Sequence, residues 1–169
     1  MSGQAVGARG DVSDGLVFDE GLWPLVVLRL PTRFTPACMQ GIIDGYERTY
    51  ARKERFASLT DCSSTVRFPG AVERKMLAEW LGQPGRTENE KLYTVGAAIV
   101  LTSGPMRALM SAIRWINPPA SPQVWPATEA EAFEWCCEQL VNAGIPLTHD
   151  LEAARAEHQR SRAAAARRT

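Results

Sequence analysis

The chain has 169 residues, 45% of them hydrophobic, and a formal net charge of zero. That length fits one domain with a core of its own, and the composition excludes wholesale disorder. Zero net charge excludes global steering toward nucleic acid or anionic membranes, so the excess of Arg over Lys reads first as a composition bias.

Residues 1–14 are rich in Gly, Ser and Asp without periodicity and read as a mobile leader. Leu16-Val17-Phe18 predicts a short strand that turns back through Asp19-Glu20-Gly21. "LVVLRLP" (25–31) is a continuous apolar run with β-branched members, as in a strand buried on both faces. Thr35 can cap a helix and Pro36 suits its first turn. Cys38, Ile42, Ile43, Tyr46 and Tyr50 then recur at helical spacing over 36–52. Glu47, Arg48, Arg52 and Lys53 mark that helix's solvated face.

"RFASLTD" (55–61) predicts a second central strand. Val72, Met76, Leu77, Trp80 and Leu81 mark a second helix, stopped by Gly82, Pro84 and Gly85. "TENEKLY" adds at most a short helical turn. "TVGAAIVLTS" (94–103) is a third buried strand, whose Gly96 lets a neighbour approach closely. Met106, Leu109, Met110, Ile113 and Ile116 are the apolar face of a third helix, with Arg107 and Arg114 opposite. "QVWPA" (123–127) is a short edge strand. Thr128 and Glu131 form a capping box for a fourth helix with Phe133, Cys136, Cys137, Leu140 and Val141 on its apolar side. Residues 148–169 form a basic, Ala/Arg-rich helical or disordered tail with little to dock with.

The order β-β-α-β-α-β-α-β-α predicts an α/β fold, with a mixed, mostly parallel sheet of four or five strands and about four helices, over residues 15–147. The stretches "WPLVVLRLP", the central strand ending at Asp61, "VGAAIVLTSGPMRALMSAIRW" and "QVWPATEAEAFEWC" carry a resemblance. In that order they resemble the SpoIIAA-like/STAS-like superfamily, and within it the small bacterial STAS/SEC14-like proteins. The resemblance implies a non-enzymatic module that binds another protein in signalling or neutralisation. The alternative it implies is a carrier of a small apolar or lipid ligand. Anti-sigma antagonists of that superfamily are phosphorylated in an Asp-Ser-Ser/Thr-Gly motif at the start of the second helix. Here Phe68-Pro69-Gly70-Ala71 stands there instead, which weakens a phosphoswitch.

Two strand-to-helix turns are candidate anion sites, because free amides and the helix dipole favour negative charge there. In the first, Ser63, Ser64 or Thr65 is a possible phosphorylation site with Arg67 near it; the alternative is a turn whose amides Asp61 and the hydroxyls satisfy. The second comprises Thr102, Ser103 and Arg107; its alternative is a capped helix start. Trp115 and Trp125 flank a Pro-rich stretch, as core residues or as exposed anchors for a partner. The four cysteines read as buried apolar side chains, and their spacing forms no zinc motif. Cys62 has no His near it in sequence to act as a base, so no catalytic residue is assigned. No cofactor and no metal are expected. A cytoplasmic location is expected, with nucleic-acid or membrane contact only through the basic tail.

Overall fold

A computed structural model describes residues 15–67, 69–116 and 118–166. The leader 1–14, Phe68, Asn117 and residues 167–169 lie outside the described residues, as do the side chains of Leu109, Ile113 and Ile116. Among the described residues, five strands form one sheet: β1 (Val17–Asp19), β2 (Leu25–Arg29), β3 (Phe56–Asp61), β4 (Thr94–Val100) and β5 (Gln123–Val124). Six helices among the described residues accompany them: α1 (Pro36–Ala51), α2 (Ala71–Leu81), α3 (Arg86–Tyr93), α4 (Gly104–Ile116), α5 (Glu129–Asn142) and α6 (His149–Ala166). The α/β class and the mostly parallel sheet agree with the sequence reading. Two more helices than expected are present, α3 where a short turn was read, and α6.

The strands lie in sequential order, β1-β2-β3-β4-β5, with β1 antiparallel to β2 and the rest parallel. This order decides where the helices go. Each step from β2 to β5 moves the same way across the sheet, and right-handed crossovers then fall on one face. Helices α1 to α4 cover that face, and α5 returns beneath the other.

The alternation of side chains along the strands divides the core in two. Leu25, Val27, Ala57, Leu59, Ala98 and Val100 face α5, meeting Phe133, Cys136, Cys137 and Leu140. Val26, Leu28 and Phe56 face α1, meeting Cys38, Met39, Ile42 and Tyr50. Helix α4 adds Met106 against Leu101 and Cys62. All four cysteines are buried, and Cys62, Cys136 and Cys137 are free thiols.

Local devices set the helix ends. Thr35 caps α1 through the Cys38 N–H, at 3.1 Å. Thr128 accepts the Glu131 N–H at 3.2 Å, while Glu131 accepts from Ala127 at 3.1 Å. The capping box therefore closes on the residue before the cap. Two glycines permit close approach. The Phe18 ring occupies the space of a Cβ on Gly45, and Trp135 would lie 2.9 Å from one on Gly96.

The tail departs from expectation. Helix α6 packs through Leu151, which is fully buried, and through Ala154. Arg155 binds Glu134 of α5, and His158 stacks on Phe133 with centroids 4.3 Å apart. A single leucine in 18 residues, with an ion pair and a ring stack, supplies the docking face that its sparse apolar content hid. The domain therefore continues past residue 147 into this helix. The face of α1 read as solvated is also in use. Glu47 accepts from Trp80 Nε1 at 2.6 Å, and Arg52 lies 4.2 Å over the Trp23 ring while pairing with Glu20. Val72 and Val141, read as core-facing, are exposed.

Candidate ligand site on the helix-covered face of the sheet

The turn after β3 is held by its own side chains and by the segment after β2. Asp61 accepts the Ser63 N–H at 2.8 Å, and Thr65 Oγ1 donates to the Pro31 carbonyl at 3.1 Å. The Val66 and Arg67 N–H groups donate to the Thr32 carbonyl. Ser63, Ser64 and Arg67 are exposed beside this strap, and α2 begins only after Gly70, which gives no side-chain cap. Cys62 is buried, and burial with the Asp61 charge pushes its thiol up to about 12. It stays protonated at neutral pH, the opposite of an activated nucleophile.

The turn after β4 is a capped helix start. Ser103 Oγ accepts the Met106 N–H at 3.2 Å, and Arg107 donates to the Leu101 carbonyl at 2.9 Å. Thr102 is exposed. Trp115 sits in the last turn of α4 rather than on the Pro-rich loop and is 88% exposed. Trp125 is half-buried, with the Arg114 guanidinium 5.0 Å over its ring. Ser111, Arg114, Trp115, Pro118 and Trp125 line an open depression there.

The most developed site lies elsewhere, between the sheet and helices α1 to α4. It is a cavity of about 230 Å3. Its floor is made by the strand residues that point toward the helices: Ser58, Thr60, Thr94, Ala97, Ile99 and Gln123. The β3–β4 register sets Ser58 beside Ala97 and Thr60 beside Ile99, so the hydroxyls fall under the gap between helices. Tyr46 and Tyr50, one turn apart on α1, form one wall with Trp80 of α2. Helix α4 contributes Met110 and Arg114.

Arg86, the first residue of α3, dominates the site. Its side chain is 10% exposed and lies 4.7 Å over the Tyr50 ring and 4.2 Å over the Trp80 ring. Such stacking holds a guanidinium in one orientation. Its Nε and Nη1 have no hydrogen-bond partner among the described residues. Glu90 is 3.7 Å from Nη1, and the other Glu90 oxygen accepts from the Ala120 N–H at 3.1 Å and Ser121 Oγ at 3.0 Å. Gln123 Oε1 is buried and unpartnered as well.

The tyrosines are hydrogen-bonding groups and not bases here. Burial raises the Tyr50 phenol to about 12 against the nearby Arg86 charge, and its hydroxyl shares a 3.1 Å hydrogen bond with Thr94. Burial also raises Tyr46, against the opposing effect of Thr60 and Ser58. The lining combines a ring-stacked guanidinium, hydroxyls and an amide side chain with aromatic and aliphatic groups. Both histidines, His149 and His158, sit on α6.

No protein-family model matches the chain, and no curated protein or solved structure matches it. Among the described residues, no group of His, Cys, Asp and Glu can hold a metal ion, and no helix is long and apolar enough to cross a membrane.

The sequence reading singled out none of the residues in this cavity as functional. Signals for it were present. Ser58 and Thr60 put hydroxyls at alternate positions of a strand otherwise fit for a core. Tyr46 and Tyr50 were read only as an apolar helix face. Arg86 and Glu90, four apart, fell in a stretch read as a stop signal and a polar turn.

Proposed function

We propose that this chain is a non-enzymatic binding module that encloses a small polar ligand between its sheet and helices α1 to α4. One observation carries the reading: a chamber of about 230 Å3 whose lining brings Arg86, held between the Tyr50 and Trp80 rings, together with the strand residues Ser58, Thr60 and Thr94. The STAS-like resemblance read from the sequence supports a binding role. The protonated Cys62 supports a role without covalent chemistry. The buried free thiols of Cys62, Cys136 and Cys137 suit a reducing compartment such as the cytoplasm.

The same cavity argues against the lipid carrier. Its volume of about 230 Å3 equals roughly seven or eight waters, small for an acyl chain.

A second reading, docking of a regulatory protein partner, is favoured by Trp115. An indole 88% exposed beside Arg114 and Trp125 has the composition of an interface anchor. The deciding experiment is native purification from the protein's own cells, followed by mass spectrometry of extracted small molecules and of bound proteins. A small polar molecule at stoichiometric level is the expected result. A long-chain lipid in its place overturns the reading. A stoichiometric protein lost on Trp115→Ala establishes the second.

A further inference from the structure

Beyond the carboxyl ends of β2 and β3 the chain builds a second polar surface, which shares no lining residue with the chamber. We infer that this surface binds a phosphomonoester dianion through Arg33 and Arg67.

The backbone sets these two arginines together. The segments that follow β2 and β3 run parallel, and Arg33 pairs with Arg67 across an isolated bridge. The Val66 and Arg67 N–H groups donate to the Thr32 carbonyl, and Thr65 Oγ1 donates to the Pro31 carbonyl at 3.1 Å, which ties the segments to each other. Bridge partners on parallel segments project their side chains to one face, so two cations leave neighbouring positions there. Like charges placed in this way repel. Both side chains are exposed, and neither has an ion-pair partner among the described residues. Arg29, Arg52, Arg86 and Arg155 each have one, in Glu129, Glu20, Glu90 and Glu134. An anion held by Arg33 and Arg67 together removes their repulsion.

The surroundings suit an oxyanion. Arg33 lines an open depression of about 590 Å3 with Arg29, Thr32, Thr35 and Ser64, and its lining includes no Asp or Glu. Thr32 and Ser64 are exposed. Thr35 Oγ1 accepts the Cys38 N–H at 3.1 Å, and its own proton is left to donate. Asp61, the carboxylate that begins the turn, accepts the Ser63 N–H and stands outside that lining. Charge then selects the class. Glu129 balances Arg29 at 2.6 Å, which leaves the two cations of the bridge. A phosphomonoester carries about 1.5 to 2 negative charges at pH 7, and its oxygens serve both guanidinium forks. A carboxylate or a sulfate ester carries half of the charge required.

The probes are phenyl phosphate and phenyl sulfate, which share a ring and a tetrahedral anion and differ in charge. The readout is the nitrogen-15 resonance of Nε in Arg33 and Arg67, with the Ser64 amide, in the intact chain. Phenyl phosphate is expected to shift all three signals together and to saturate at about 1–10 mM. Phenyl sulfate binds about tenfold more weakly. Phosphate binding weakens as pH falls through about 6, where the phosphate takes up its second proton and the arginines keep theirs. Arg33→Gln and Arg67→Gln each weaken it about fivefold or more. The comparison of phosphate with sulfate uses the unmodified protein, so it stands even where a variant fails to fold. A phosphoserine peptide flanked by alanines separates the sources. Binding about tenfold tighter than free O-phosphoserine assigns the group to a partner protein, and equal binding assigns it to a small phosphomonoester. Equal affinity for phosphate and sulfate overturns the inference. So do shifts no larger than those of Arg160 and Arg162 on α6, or none up to about 10 mM probe. Each of these leaves the reading of the chamber intact.

Discussion

Replacing Gly45 by Ala tests the packing of α1 on the sheet that builds the cavity wall. In an exposed helix interior the change stabilises, by about 1 kcal/mol. At this position a methyl group meets the Phe18 ring, which fills that space and is itself 3% exposed. The ring has to move away, and it loses its edge-on contact with Tyr46, now at 5.4 Å and 87°. Overpacking costs about 1–3 kcal/mol and a lost aromatic pair about 0.5–1.5 kcal/mol. Set against the helical gain, the net effect is a destabilisation of about 1–3 kcal/mol. Each kcal/mol moves the melting temperature by about 2–4 °C in a chain of this size. Urea and thermal unfolding followed by circular dichroism measure it. Gly104→Ala is the control, because a Cβ there meets nothing within 4 Å. Adding Phe18→Leu to Gly45→Ala is expected to recover part of the loss. A Gly45→Ala protein as stable as the parent refutes the packing argument.

Leu151→Ala lowers stability by about 2–5 kcal/mol in one cooperative transition, because this side chain is fully buried in the α5 core; an unchanged denaturant midpoint would return α6 to the status of a tail. The Arg155 hydrogen bonds hold the Glu134 carboxyl below its ordinary value of 4.5, so its contribution is present above that pH and fades as pH falls through the lowered folded value. Glu134→Gln therefore costs about 1–2 kcal/mol at neutral pH and flattens the acid limb of a stability-versus-pH series; an acid limb of unchanged slope contradicts this. Cys62, raised to about 12, reacts with iodoacetamide at pH 7.5 far more slowly than free cysteine, with peptide mass spectrometry as the readout; rapid stoichiometric labelling of the folded protein contradicts the burial argument. Trp115→Ala changes stability by less than about 0.5 kcal/mol, since its side chain is exposed, and a larger loss means the indole packs in solution.

The fold was legible where a residue pattern maps directly onto one element. The apolar run at Val26–Leu28, the Thr35-Pro36 opening and the Thr128–Glu131 box each define one strand or one helix start from local chemistry. Gly96 was read as a close-approach position, and Trp135 stands over it. Helix α6 was misjudged because its docking depends on few groups. Leu151, Arg155 and His158 are each weak signals alone, and the α5 partner of Arg155, Glu134, lies 21 residues away in sequence. The cavity was illegible for a related reason. Its lining comes from three strands and four helices, and it depends on the β3–β4 register that sets Ser58 and Thr60 under the gap between helices. Sequence spacing finds polar residues that are neighbours along the chain, as in Ser63-Ser64-Thr65. It does not find Arg86 and Gln123, which only the sequential strand order brings to one chamber.

The central claim is that the chamber between the sheet and α1 to α4 is where this protein binds. A small-molecule fragment screen, mapped by backbone amide shifts of the intact chain, tests it most directly. The account predicts that the strongest hits move Ser58, Thr60, Thr94, Ala97 and Gln123 and are recovered chemically unchanged. Hits that move only residues on the α5–α6 face, or that are recovered as a converted product, would contradict it.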